Sequence, residues 1–430
     1  MPRLPGMKKV ITYGTFDCLH EGHRRLLERA KALGDWLIVG VTSDDYDRTR
    51  GKINAAQPLL ERVEAVKGLG LADEIIVEEY EGQKIDDIRR LGVDVFTVGS
   101  DWVGKFDYLR EWCEVVYLPR TEGVSSSSIR GKRRGVRLGI YGTGVIADKY
   151  RREAAWVNGM TVEGQCGEDE GGVSQLADRC DAVYIISQPR RHETDIREAL
   201  ASGLHVLCES PVALRGGVCR ELFSFAKEQG LVLMDAVKTA YATAYNRMLL
   251  LVKSGKIGRV VSVDATCTSL MGPWQRPEEL ISRWNSRQAW APAALLAVFQ
   301  LLGTGYKDCR RKSFFAEGAE DFDLFTKYDF EYDRAVASVK VGKGVKSEGE
   351  LVVSGTEGYI YVPAPWWKMD YFEERHENPA LNRRYFHQLD GEGIRAELVA
   401  FSRAIAAGGG SGNVTAAESE AIAELTGGAG

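Results

Sequence analysis

Twice in 430 residues an apolar-rich run of five residues stops at a glycine and gives way at once to a helical pattern. The first run is 9–13, followed by Gly14; the second is 137–141, followed by Gly142-Thr143-Gly144. A strand that ends in a glycine turn and feeds a helix opens a parallel α/β unit, because a parallel neighbour is reached only through a crossover. Two such openings predict two separate parallel sheets in one chain.

The rest of the pattern extends both openings. After the first come strands at 36–42, 74–77, 93–98 and 115–118, with helices at 22–33 and 59–68. After the second come strands at 182–187 and 205–209 with a helix at 193–202 between them. From about Gly258 the chain turns strand-rich, at 260–266, 335–340, 350–354 and 359–362, and closes with a helix at 416–425. The joint Arg130-Gly131-Lys132-Arg133-Arg134-Gly135 reads as a solvated linker, since charge runs with glycine rarely pack. The expected fold class is α/β. A Rossmann-like domain at 1–131 is followed by a linker at 132–136, a second Rossmann domain at 137–257 and a C-terminal α+β mixed or antiparallel-sheet domain at 258–430.

Composition bounds the function. A net charge of −5 argues against broad nucleic-acid binding. No segment reaches the ~18 apolar residues that span a bilayer, and residues 1–6 carry no apolar signal core, so a cytoplasmic protein without membrane insertion is expected. The eight cysteines include no Cys-x-x-Cys pair, which argues against zinc and suits a reducing compartment.

The string Gly14-Thr15-Phe16-Asp17-Cys18-Leu19-His20-Glu21-Gly22-His23 lies where the first strand ends and the first helix begins. Ligands of open parallel sheets bind at the carboxyl ends of strands. A helix N-terminus adds free N–H groups and partial positive charge. Two histidines three apart share one helical face and can donate to phosphate oxygens, and Gly22 lets a nucleotide approach the backbone. A second string, Arg120-Thr121-Glu122-Gly123-Val124-Ser125-Ser126-Ser127-Ser128-Ile129, offers a fixed cation and a run of hydroxyls entering a helix.

Together these strings resemble the two signatures of the nucleotidyltransferase superfamily that includes glycerol-3-phosphate and choline-phosphate cytidylyltransferases. Residues 98–107, with Ser100-Asp101-Trp102, are similar to a base-side segment of the glycerol-3-phosphate type, which often has two acidic residues where this chain has Ser100-Asp101. The resemblance implies attack of a small phosphorylated alcohol on the α-phosphorus of CTP, with pyrophosphate leaving and Mg²⁺ bridging phosphate oxygens. It implies His20, His23, Lys52 and Arg120 as catalytic residues. Gly14, Thr15, Phe16, Asp17, Gly22, Asp101, Thr121, Ser125, Ser126 and Ser127 would hold the nucleotide, and Arg62 and Trp102 the acceptor.

Gly142-x-Gly144-x-x-Ala147, between a strand and a helix, is a dinucleotide-binding fingerprint, with Glu168 or Asp169 as candidate ribose partner. Further strings at 187–192, 199–203, 205–211, 253–258 and 355–360 resemble the Gfo/Idh/MocA oxidoreductases. That resemblance implies NAD(P), held by Gly142, Gly144, Ala147 and Glu209. Three departures bear on redox chemistry. The family's Glu-Lys-Pro is Glu209-Ser210-Pro211 here, no Asp or His occurs from 265 to 307, and the segment between Cys166 and Asp181 is short. Lys238 and Tyr241 remain as candidate proton donors.

The expected protein is therefore a homodimer making CDP-glycerol or a related CDP-polyol for a cell-envelope polymer, fused to an oxidoreductase-like part. The alternatives are a non-catalytic NAD(P)-binding or dimerisation scaffold in the second part, or an amino-alcohol phosphate such as choline phosphate as acceptor.

Overall fold

The computed structural model describes residues 7–43, 57–79, 82–119, 135–157, 159–274, 276–387, 389–410 and 412–427, with only the backbone of Asp101 and Asp390. The chain forms two compact units divided between Arg134 and Gly135.

The first unit is a parallel sheet of β1 (Lys9–Gly14), β2 (Trp36–Thr42), β3 (Glu74–Glu78), β4 (Val95–Gly99) and β5 (Glu114–Leu118), in the order β3-β2-β1-β4-β5. Its helices are α1 (Glu21–Lys31), α2 (Leu59–Gly68) and α3 (Gln83–Leu91). Val10, Ile11, Ile38 and Val39 are fully buried, as expected of strands covered on both faces. Strand order reverses direction at β1, so the crevice at the carboxyl ends of β1 and β4 is the switch point where ligands bind. Gly40 makes room on β2 for the ring of Tyr13, with which a Cβ would collide.

The second unit begins with a parallel sheet of β6 (Val136–Tyr141), β7 (Met160–Cys166), β8 (Ala182–Ile185), β9 (His205–Glu209) and β10 (Leu233–Ala236), in the order β10-β9-β8-β6-β7. Helices α4 (Val145–Ala154), α5 (His192–Ala201) and α6 (Gly216–Glu228) connect these strands or follow them. Then come α7 (Thr243–Lys253), β11 (Val260–Thr268), α8 (Ser286–Leu302), β12 (Asp308–Ala316), β13 (Ala319–Glu331), β14 (Val336–Gly342), β15 (Leu351–Gly355), β16 (Tyr359–Val362), β17 (Tyr371–Arg375) and β18 (Arg383–Phe386). These strands form a mixed sheet, ordered β12-β13-β14-β11-β15-β16-β17-β18, in which only the β11–β14 pair is parallel. Helices α9 (Ile394–Ala406) and α10 (Ala416–Thr426) end the chain.

One hydrophobic core runs through this unit, from Leu138 and Tyr184 in the first sheet through Leu295 and Val298 of α8 to Val339 and Val353 in the second. Helix α10 returns to α6, where Glu424 accepts from the Gly216 N–H at 2.9 Å and Glu420 pairs with Arg220. Helix α8 starts in a capping box of Asn285 and Gln288, and a buried ion pair of 3.0 Å ties Arg287 to Asp323 on β13.

The structure adds elements that periodicity did not separate. Helix α3 is short and mostly charged, and the β12–β13 hairpin carries polar residues on its exposed face. Between β7 and β8 there is a single 3-10 turn, Val173–Leu176, where a helix is expected in a doubly wound unit.

Candidate active site

In the first unit the chain leaves β1 through a constrained turn. Phe16 and Cys18 have φ of 51° and 47°, in the left-handed region that side chains with a Cβ seldom adopt. The surroundings hold them there. Asp17 Oδ1 accepts from the Gln57 N–H at 3.0 Å, and Gln57 Oε1 accepts from the Cys18 N–H at 2.9 Å.

Arg62, expected on the substrate side, points inward instead. It is fully buried, and its guanidinium donates to the carbonyls of Thr15 (2.6 Å), Thr42 (2.8 Å) and Gln57 (3.0 Å). Its fork therefore joins the ends of β1 and β2 to the start of α2, which makes it a positioning residue for the site floor. Spacing along the chain gave no sign of this, because its partners are carbonyls far apart in sequence.

The turn delivers His20 to the N-cap of α1. Its Nδ1 accepts from the Gly22 N–H at 3.1 Å, so the proton of the neutral ring sits on Nε2. His23 stacks on it, with ring centroids 3.9 Å apart, and the edge of Phe16 meets His23 at 5.6 Å. Burial, with His20 nearby, pushes His23 down to about 4, and burial also lowers His20. At neutral pH both rings are uncharged hydrogen-bond donors. His23 Nδ1 and Asp17 Oδ2 are buried and make no hydrogen bond. Buried polar atoms are rarely left so, and both lie at the turn where a ligand would satisfy them.

Beside this turn, at the carboxyl end of the sheet, lies a cavity of about 60 Å³ lined by Gly14, Thr15, Thr42, Lys84, Trp102 and Phe106 among others. Lys84, on the first turn of α3, was not a sequence candidate. Its ammonium pairs with buried Glu78, which also accepts from Thr42 Oγ1 at 2.9 Å, and it stands over the rings of Tyr13 (4.7 Å) and Phe106 (5.6 Å). The available signal was Gly82-Gln83-Lys84 at the carboxyl end of β3, hidden by a weak helical pattern. Lys105 lies 5.1 Å over Trp102. Lys52, Arg120, Thr121, Ser125, Ser126, Ser127 and the side chain of Asp101 lie outside the described residues.

In the second unit, Gly142 (φ 124°) and Gly144 (φ 103°) form the turn from β6 into α4. A Cβ on Gly142 would come within 2.8 Å of Ile186, and Ala147 is fully buried beneath the turn, while Val145 is largely exposed. These are the requirements for a pyrophosphate at the α4 N-terminus. Glu168 follows β7; it accepts from the Gln188 N–H at 3.1 Å and lies 3.6 Å from Arg191, whereas Asp169 is exposed.

The chemical partners expected around such a cofactor are replaced. Glu209 accepts from Tyr184 and burial raises it to about 7. Ser210 follows it, where a lysine would supply charge. Helix α8 packs Ala291, Ala294, Leu295 and Val298 into the core. Lys238 is bound to Glu392 at 2.9 Å, and buried Tyr241 accepts from the Asn413 N–H. Of the two candidate proton donors, Lys238 is thus held in an ion pair and Tyr241 is buried.

Comparison with known proteins follows the division into units. A family described as cytidylyltransferase-like matches residues 11–132, and the oxidoreductase family with an NAD-binding Rossmann fold matches residues 142–236. The glycerol-3-phosphate cytidylyltransferase of Bacillus spizizenii is 49% identical over 124 residues, which are 29% of this chain and 95% of the relative. That of Bacillus subtilis is 48% identical over 130 residues, 30% of this chain and 100% of the relative. Among solved structures, the 3-ketoreductase KijD10 from Actinomadura kijaniata in complex with NADP and TDP-benzene superposes with a TM-score of 0.59 at 18% identity. It covers 68% of this chain and 96% of its own, a likeness of fold.

Proposed function

Since the chain belongs, through residues 11–132, to the cytidylyltransferase-like family, we propose that its first unit transfers the cytidylyl group of CTP to glycerol 3-phosphate, giving CDP-glycerol and pyrophosphate. A phosphate oxygen of the acceptor attacks the α-phosphorus of CTP; the new P–O bond forms as the bond to the bridging oxygen of pyrophosphate breaks. No covalent enzyme intermediate is needed, and catalysis is positioning plus stabilisation of charge on the phosphoryl oxygens.

The observation that carries this reading is the stacked His20–His23 pair on the first turn of α1, with a buried ring nitrogen of His23 left without a partner. Neutral imidazoles donate to phosphate oxygens, and the α1 N-terminus adds its N–H groups. Lys84, on the cavity wall, is the cation for the acceptor. Lys52, Arg120 and Ser125 to Ser127 would hold the triphosphate. Among the described residues no three metal ligands cluster, so magnesium would ride on the nucleotide with Asp17 as the available protein carboxylate, neutralising phosphate charge.

Choline phosphate fits less well. A trimethylammonium needs open aromatic faces, and here Lys84 and Lys105 stand over Phe106 and Trp102.

For the second unit we propose NAD(P) binding without efficient hydride transfer. The glycine turn fits a dinucleotide, whereas position 210 is serine, α8 is apolar, and the nearby Lys238 is held by Glu392.

The experiment is pyrophosphate release from CTP and Mg²⁺ with a panel of polyol and amino-alcohol phosphates. Release with glycerol 3-phosphate that is lost in His23→Ala supports the reading. No release with any acceptor would end it.

A further inference from the structure

In the second unit, three lysines from distant parts of the chain close on one carboxylate. Lys149 comes from α4, Lys238 from the turn after β10, and Lys368 from a turn between β16 and β17. Their ammonium groups lie 2.9, 2.9 and 2.8 Å from Glu392 oxygens. Each lysine side chain stays partly exposed, at 27%, 23% and 37%, so solvent and solutes reach the group.

This arrangement exceeds what an ion-pair tie requires. Three ammoniums offer three donors each, against roughly four lone-pair positions on a carboxylate. Among the described residues three ammonium groups share one carboxylate at ion-pair distance, and like charges held this close repel. Glu209 and Glu397 also sense Lys238, but among the described residues neither is paired with a lysine: they accept from Tyr184 and Tyr150 instead, and burial raises both. Lysine, a compact point charge with rotatable donors, suits a tetrahedral anion of variable orientation.

Glu392 is also an unusual occupant. It sits at φ 53° between Gly391 (φ 59°) and Gly393 (φ 89°), three left-handed residues in a row, a conformation that disfavours a residue with a Cβ. A Cβ on Gly393 would collide with the Lys238 carbonyl, and one on Gly391 would crowd Glu153. The turn is pressed onto the lysines at a conformational cost, as a displaceable plug would be.

We infer that Lys149, Lys238 and Lys368 form a binding site for a phosphate-bearing anion carrying two or more negative charges, and that Glu392 is a built-in competitor which such a ligand displaces. A phosphate dianion or a diphosphate group supplies both the charge and the acceptor oxygens that one carboxylate lacks. The site lies in the second unit and does not depend on the cytidylyltransferase reading of the first.

The test is isothermal titration of the full chain with pyrophosphate at low salt. Glu392→Gln removes the competing charge and should tighten binding at one site at least tenfold; adding Lys368→Ala should cancel that gain. Binding by the first unit is common to all three proteins and drops out of the comparison. Unchanged affinity in Glu392→Gln, with circular dichroism unaltered, overturns the inference. So does a gain that survives Lys368→Ala. Should Glu392→Gln fail to fold, Lys149→Ala/Lys368→Ala is expected to lose one pyrophosphate site relative to the unaltered chain, and unaltered stoichiometry overturns the inference. Parallel titrations with inorganic phosphate, NADPH and CDP-glycerol separate a free anion from a nucleotide diphosphate by which shows the larger gain.

Discussion

The imidazole of His23 lies on that of His20, centroids 3.9 Å apart and planes 21° from parallel, so the two rings share one desolvated edge of α1. Two protonated rings could not keep this contact, and burial already disfavours charge on each. The pair is thus set to act as neutral donors.

Stability should follow the titration of His23. Its folded value, about 4, lies below the ordinary 6.5, so between these values the unfolded chain binds the extra proton. Stability is complete above pH 6.5 and falls as pH drops toward 4, by up to about 3 kcal/mol from this group. Thermal unfolding from pH 4 to 8 should show this slope in the unaltered protein and a shallower one in His23→Gln. Equal slopes would contradict the assignment.

Arg62 should matter without touching substrate. Arg62→Ala leaves three carbonyls, that of Thr42 buried and those of Thr15 and Gln57 half-buried, without this donor and should cost about 3 kcal/mol. Arg62→Lys keeps the charge and loses the fork. It should lower kcat for pyrophosphate release by roughly tenfold while the KM for CTP changes less. A change confined to KM would instead place Arg62 at the substrate.

Lys84 should act on the acceptor. In Lys84→Met/Glu78→Gln, which removes the buried pair together and leaves no orphan charge, the KM for glycerol 3-phosphate should rise about tenfold or more, with the KM for CTP little changed. An effect on CTP alone would assign the lysine to the triphosphate.

The dinucleotide turn predicts binding without turnover. NADH or NADPH fluorescence should respond to the unaltered chain, and the response should vanish in Gly142→Val, where a side chain at φ 124° would strike Ile186. Steady oxidation of either cofactor with a keto-polyol phosphate would refute the loss of redox chemistry.

Much of this was legible along the chain. Both strand-to-glycine joints, β2 and α2 appear where periodicity sets them, and the histidine pair stands on one helical face as its spacing requires. Such features are local: apolar spacing and a glycine decide them regardless of what packs nearby. Helix α3 was not legible, since six of its nine residues are polar and its apolar stripe is only Ile85, Ile88 and Leu91, while Gln83, Lys84 and Asp87 are buried beside it. The β12–β13 hairpin escaped because its exposed residues are mostly charged, with Phe314 and Phe315 exposed among them, so its sequence shows no clean alternation of apolar and polar residues.

The sequence by itself determined two parallel α/β openings, a glycine-containing turn into a helix at each, serine at 210, and a stretch from 265 to 307 without aspartate or histidine. Only the tertiary structure decided where the charged side chains go. Arg62 turned inward onto carbonyls from three segments, Lys84 entered the cavity wall, and three lysines separated by as much as the span from Lys149 to Lys368 met at Glu392. The physical reason is that an apolar residue carries its preference for burial with it, whereas a charge is buried only where partners from elsewhere in the chain converge to satisfy it.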